Sequence, residues 1–197
     1  NFASFEDFLV MGPDGKFVFN PTTSPENSPS NTKSQGTFNA TMDVAAVKEL
    51  LNNLIAASGE LGVNADRIPL WRDMLAHMPD YMIGPDGVTK EWLTDKLDDN
   101  LDHRHSSQRY ALYDGIPDEI ARDAKLRAAF RRIIEIKLDH HWKETKTGFM
   151  SFGVVQLGQA AGSLGEGELA YRCLTNLVNR YWLGNMASMH NTRTLFN

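Results

Sequence analysis

Between Asn20 and Asn31 the chain reads Asn-Pro-Thr-Thr-Ser-Pro-Glu-Asn-Ser-Pro-Ser-Asn, and no other segment restricts its own backbone so tightly. Pro21, Pro25 and Pro29 each hold φ at about −65° and push the residue before them towards extended geometry. A loop so restricted keeps its side chains in place, and Glu26 is its one carboxylate. A carboxylic acid held on a stiff loop, in a chain otherwise built of helices, is what a general acid requires. A plainer reading uses the same residues: Ser24-Pro25-Glu26 is also an ordinary helix start, with Ser as cap, Pro at the first position and an acid in the first turn. The Ser, Thr, Asn and Pro content of residues 21–38 allows disorder as well, and a structured active-site loop is the sharper expectation.

Outside that loop the hydrophobic periodicity is helical. Phe2, Phe5, Phe8 and Leu9 suggest the end of a helix that stops before Gly12-Pro13, and Phe17-Val18-Phe19 reads as a short extended segment leading into the loop. Val44, Val47, Leu51, Leu54 and Ile55 form a 3.6-period stripe, with Thr41 or Asp43 as cap and Gly59 near the end. Further helices are predicted over 67–78, 118–141, 149–161 and 168–181. The third of these runs is rich in Gly and small residues, which lets its neighbours approach. In the last, Ala170, Cys173, Leu174, Leu177, Val178 and Tyr181 are expected to face inward. Gly84-Pro85-Asp86-Gly87 is a turn, the tip of a small hairpin. Helix after helix with little strand predicts an all-α array rather than a doubly wound sheet.

The 197 residues suffice for one domain with a substantial core, and 42% hydrophobic with 23% charged residues is ordinary for a globular chain. A formal charge of −5 and a pI near 5.7 argue against nucleic acid or an anionic membrane as partner. No apolar run reaches the roughly 18 residues of a membrane span. Cys173 is alone, so no internal disulfide forms and the compartment is not legible from cysteine usage. Asn39-Ala40-Thr41 is a glycosylation sequon. The start at Asn1 suggests a processed chain or an excised piece.

Beyond Ser24-Pro25-Glu26-Asn27 come Thr41-Met42-Asp43, Glu91-Trp92, His103-Arg104-His105-Ser106-Ser107 and Leu112-Tyr113-Asp114-Gly115. In that order and spacing they resemble the catalytic domain of glycoside hydrolase family 95, the inverting α-L-fucosidases, along nearly all of the chain. The resemblance implies part of an (α/α)6 barrel, with residues 1–197 as a single partial domain, the C-terminal half of the barrel. It implies a fucosylated glycan as substrate, no metal or other cofactor, and a secreted, periplasmic or cell-surface parent. The remainder of that parent, or self-association, is expected to cover the inner helix faces.

Glycoside cleavage by inversion needs an acid for the departing oxygen and a base for water on the opposite face, with the two carboxyl groups about 6.5–9.5 Å apart. The resemblance makes Glu26 the acid and Arg104 and His105 the donors that bind fucose, while His103 orients the loop. Trp92 offers a ring face for the sugar with Glu91 beside it, core packing being the plainer use of a tryptophan. The family's base is an aspartate in an Asn-x-Asp setting; if Asn197 is that asparagine, the base falls after the last residue given. Asp95, Asp98, Asp99 and Asp102 do not match it and read as a solvated acidic loop. Residues at i and i+2 share no helical face, so His103 and His105 are a poor metal pair. The family usually has Leu and His where this chain has Ser106 and Gln108, so the wall there differs. Two alternatives stand beside the fucosidase: an α-L-galactosidase of the same build, and a helical carbohydrate-binding module that lost its base.

Overall fold

The computed structural model describes residues 8–143, 150–191 and 194–195, and about half of them are helical. They fall into two compact units, residues 1–82 with 90–99 and residues 83–89 with 100–197. Phe2 and Phe5, on which an opening helix was expected, lie outside the described residues.

In the first unit a short ribbon pairs β1 (Val10–Met11) with β2 (Phe17–Val18) antiparallel. Its turn depends on Gly12, where a Cβ would come within 2.8 Å of Asp14 Oδ1 and 3.0 Å of the Lys16 carbonyl oxygen. Helix α1 (Thr41–Leu61) follows the loop and packs against α2 (Ile68–Ala76). The stripe works as expected. Val44, Val47 and Leu51 are buried with Trp71, Met74 and Met78, and Leu54 and Ile55 lean on that core. Each fully buried aliphatic side chain contributes about 1.5–3 kcal/mol. The ends of α1 differ from expectation. Ala40 occupies the cap position, Thr41 donating instead to the Lys90 carbonyl at 2.7 Å. The helix runs through Gly59 and ends at Gly62, whose left-handed φ of 65° suits a residue without Cβ. Arg67 precedes α2 and Pro69 sits in its first turn. The sequon is built into this unit: Asn39 Oδ1 accepts the Phe19 N–H at 2.9 Å, and Thr41 is fully buried.

The second unit begins with the 83–89 turn, where Gly84 and Gly87 N–H groups bond Val88 and Gly84 carbonyls. A 3-10 helix (Ser107–Leu112) is followed by α3 (Asp118–Ala121), α4 (Ala124–Lys143), α5 (Ser151–Ser163) and α6 (Gly167–Tyr181). The single helix expected over 118–141 is thus two. The break falls at Asp123, whose carboxylate accepts the Lys125 and Leu126 N–H groups at 2.8 and 3.1 Å and starts α4 as a new helix. Ile120, Phe130, Ile133, Ile134 and Leu138 are buried as expected. Small residues on α5 do admit close neighbours: a Cβ on Gly153 would stand 3.2 Å from His141 Nε2, and one on Gly158 3.5 Å from Cys173 Cβ. Phe149 is outside the described residues. On α6 the buried seam is Leu169, Cys173, Asn176 and Tyr181, while Leu174 and Val178 are exposed, contrary to expectation. A short antiparallel pair, β3 (Met189–Asn191) and β4 (Thr194–Leu195), ends the described chain. The all-α class holds, since no strand exceeds three residues among those described. No helix of the described residues is long and apolar enough to cross a membrane.

Candidate active site

The proline-punctuated loop is ordered. Thr22 and Thr37 bridge its base, with backbone N–H to carbonyl bonds of 2.9 and 2.8 Å in both directions. Its far side is tied by Ser30 N–H to the Asp98 carbonyl at 2.9 Å and by Asn31 Nδ2 to the Lys96 carbonyl at 3.0 Å. Between those ties Ser24-Pro25-Glu26-Asn27 is a turn and not a helix start. The Asn27 N–H returns to the Ser24 carbonyl at 2.9 Å, and Glu26 has φ of 56°. Pro at the second position and a left-handed residue at the third is the type II pattern, which ordinarily selects Gly or Asn at the third. A side chain with Cβ in that conformation costs roughly 1–2 kcal/mol. Glu26 is the exposed corner of the turn, and its neighbours on both arms, Ser24 and Asn27, are buried.

What holds the turn is Glu91. The residue is 1% exposed. Oε1 accepts the Ser24 hydroxyl at 2.5 Å and Oε2 accepts Asn27 Nδ2 at 2.8 Å, lengths in the charge-assisted range. Asn27 completes the lock by accepting the Ser28 N–H through Oδ1 at 2.9 Å. Glu91 is itself held from behind. Its N–H meets both oxygens of Asp99 at 3.1 and 3.0 Å, and Lys90 Nζ lies 3.8 Å from Asp99 Oδ1 while donating to the Leu97 carbonyl at 2.9 Å. Asp99 is therefore a structural group with a side chain only 8% exposed, not part of a solvated acidic loop. Trp92 is fully enclosed, its Nε1–H donating to Thr37 Oγ1 at 2.9 Å. That ring packs the interior and presents no open face to a sugar here, and Glu91 has both carboxylate oxygens engaged by the turn.

Arg104 and His105 belong to the second unit, half-buried in the segment before the 3-10 helix. Their backbone is gathered by Lys137 on α4, whose Nζ donates to the carbonyls of Leu101, His103 and His105 at 2.7, 2.6 and 3.1 Å. These three acceptors match the three protons of an ammonium. His103 accepts the His105 N–H through Nδ1 at 3.2 Å, and the two rings meet edge to face at 5.2 Å. Burial first, then His105 and Lys137, push His103 down to about 4, so its ring stays neutral and able to accept. Through that contact it is tied to the backbone of the segment. Beneath lies His141, buried, its Nδ1 3.1 Å from the Tyr181 hydroxyl and pushed down to about 3 by burial and then by Arg109 and Lys137. The two departures from the family pattern meet in space, Ser106 Oγ donating to Gln108 Oε1 at 3.2 Å with both residues buried.

Within the first unit, then, Glu26 and Glu91 are joined through the turn; Arg104 and His105 form a separate group in the second. Asn197 is outside the described residues. Among the described residues no group of three His, Cys, Asp or Glu side chains is arranged to hold a metal ion. Sequence reasoning gave Asn27 no role of its own, read Asp99 as part of a solvated loop and missed Lys137. Lys137 left a signal, since it falls at i+4 from Ile133 on the apolar stripe of α4, where a lysine must find partners.

Comparison with known proteins identifies the family of the chain. One relative, "Alpha-L-fucosidase 2" of Arabidopsis thaliana, is 31% identical over 180 residues, covering 88% of this chain; the chain spans 20% of that relative's length. The model of the glycosyl hydrolase family 95 catalytic domain matches residues 1–197, and the chain belongs to that family.

Proposed function

We propose that the protein carrying this domain hydrolyses terminal α-L-fucosides with inversion, Glu26 acting as general acid and Arg104 and His105 binding the sugar. The observation that carries the reading is the placement of Glu26. A carboxylic acid stands at the left-handed corner of a turn where Gly is the least costly residue, and that turn is locked at both arms by a buried carboxylate. A locally unfavourable residue held by an over-determined frame is the mark of a group kept for chemistry. Family membership and the likeness to an α-L-fucosidase support the class of substrate.

In the reaction Glu26 gives its proton to the glycosidic oxygen as the C1–O bond breaks. Water adds to C1 from the opposite face and passes its proton to a base, which the family supplies as an aspartate. Glu26 leaves as a carboxylate and is reprotonated from solvent. The planar donors of Arg104 and His105 suit sugar hydroxyls and ring oxygen.

Glu26→Gln in the full-length protein tests this. The amide keeps the shape and loses the acid, so hydrolysis of a fucosyl-galactoside should fall by about 10²–10⁴-fold. A nitrophenyl fucoside, whose leaving group needs little protonation, should fall much less. Equal losses on both substrates would remove Glu26 from the role. A parallel assay with the matching L-galactoside separates the two sugars.

A further inference from the structure

We propose that Glu91 is a positioning residue for the acid and not a sugar ligand: its carboxylate fixes the Ser24–Asn27 turn from which Glu26 projects. The inference rests on the general-acid reading of Glu26 and adds the device that aims it.

The geometry limits what Glu91 can do. Both oxygens are engaged by the turn, one by each arm, and the residue is almost wholly excluded from solvent. Its backbone is fixed by Asp99, so the carboxylate is a firm anchor and not a tethered float. Glu26 lies between the two clamped residues, one peptide from Asn27 and two from Ser24. A shift of either arm therefore passes directly into the position of its carboxyl. Displacement of a catalytic group by about 1 Å can cost on the order of 10²-fold in rate. Asn27 adds specificity to the clamp, because its Oδ1 is occupied by the Ser28 N–H and its amide nitrogen is thereby turned towards Glu91.

The test compares Glu91→Leu with Glu91→Gln in the full-length protein. Leucine removes both acceptors and leaves a buried hydroxyl and amide facing an apolar group. Glutamine can rebuild the clamp as a neutral one, Oε1 accepting from Asn27 Nδ2 and Nε2 donating to the Ser24 hydroxyl. Glu91→Leu should lower kcat on a fucosyl-galactoside by about 10–10²-fold, with KM near its original value and a smaller loss on the nitrophenyl fucoside. Glu91→Gln should recover most of that loss. If Glu91→Gln is as impaired as Glu91→Leu, the carboxylate acts directly and the positioning role is wrong. It is also wrong if a folded Glu91→Leu loses equally on both substrates, or loses only in KM.

Should Glu91→Leu fail to fold, Ser24→Ala removes one of the two donors and leaves the carboxylate bound to Asn27. It should show the same dependence on leaving group at about tenfold amplitude or less, and a uniform loss would overturn the proposal. The Glu26→Gln enzyme runs beside these variants. If it shows no leaving-group dependence, the acid reading itself has failed. If it does and the Glu91 and Ser24 variants do not, only the positioning role has failed.

Discussion

Replacing Lys137 by Met isolates the energetic worth of the ammonium that gathers the Arg104 segment. Methionine is unbranched and of similar length, so it fills most of the same space and little packing is lost. What disappears is three hydrogen bonds from one charged group to the carbonyls of Leu101, His103 and His105, at 2.6–3.1 Å. A bond to a charged group is worth about 1.5–3 kcal/mol net, which puts the gross loss at about 4.5 kcal/mol even at the low end. The segment is half-buried, so water can reach some of the released carbonyls and offset roughly 1 kcal/mol. The expected destabilisation is about 3–4 kcal/mol, a large share of a typical domain stability of about 5–15 kcal/mol. Urea unfolding of the full-length protein, followed by tryptophan fluorescence and far-UV circular dichroism, reads the change as a fall in midpoint at constant slope. Lys137→Arg should also be destabilising, because a planar fork does not converge its donors on three carbonyls as an ammonium does. A loss below about 1 kcal/mol for Lys137→Met would refute the reasoning, showing that water satisfies those carbonyls as well as the lysine does.

His141 makes stability depend on pH. Its folded pKa of about 3 lies below the ordinary value near 6.5, so the unfolded chain binds more protons in between; stability is whole above pH 6.5 and is lost as pH falls towards 3. At pH 5 its share of the loss is about 2 kcal/mol relative to pH 8, and His141→Gln should flatten the midpoint-against-pH curve by that amount; an unchanged curve would refute the assignment. Glu26→Gly should raise stability by roughly 1 kcal/mol, since the left-handed corner no longer carries a Cβ, while hydrolysis of the fucosyl-galactoside disappears. A destabilised Gly variant in thermal melts would show that the Glu26 side chain, and not only its acidity, supports the turn. Arg104→Ala and His105→Ala should each weaken binding of L-fucose by about 1.5–3 kcal/mol in calorimetry; unchanged affinity in both would move the segment from site to scaffold.

The helices were legible because amphipathic periodicity reports burial directly: Val44, Val47 and Leu51 recur at helical spacing and are all buried. Their ends were less so. Gly59 and Gly62 are both glycines near the end of α1, and only the backbone conformation tells which one terminates it. The Asp123 cap that divides the 118–141 run was visible as a residue type, but an apolar stripe continuing past it hid the break. At the site, Ser24-Pro25-Glu26 gave two readings with the same residue preferences, because a proline suits both the first position of a helix and the second of a turn. What decided between them is Glu91, distant in sequence by 67 residues from Ser24. Local composition carries no information about such a partner. For the same reason the choice between a sugar-facing and a core Trp92 stayed open, and Asp99, read as part of a solvated loop, belongs to the interior by its contacts.

Glu91 and Lys137 answer one problem in opposite signs. Each is a charge taken almost wholly out of water, and burial of a charge is unfavourable unless its hydrogen-bonding capacity is met. The carboxylate is met by a hydroxyl and an amide, and the ammonium by three carbonyls. Apolar residues at both positions would remove the desolvation cost, yet hydrophobic contact is non-directional and would let each loop slide. Hydrogen bonds to a buried charge weaken steeply as they lengthen or bend, and in a low-dielectric interior that penalty is larger than at the surface. A buried charge therefore specifies where a loop must be. The two segments so treated are those that carry Glu26 and the Arg104-His105 pair, the residues of the proposed site, and under that proposal the charges answer a demand for position and not for stability alone.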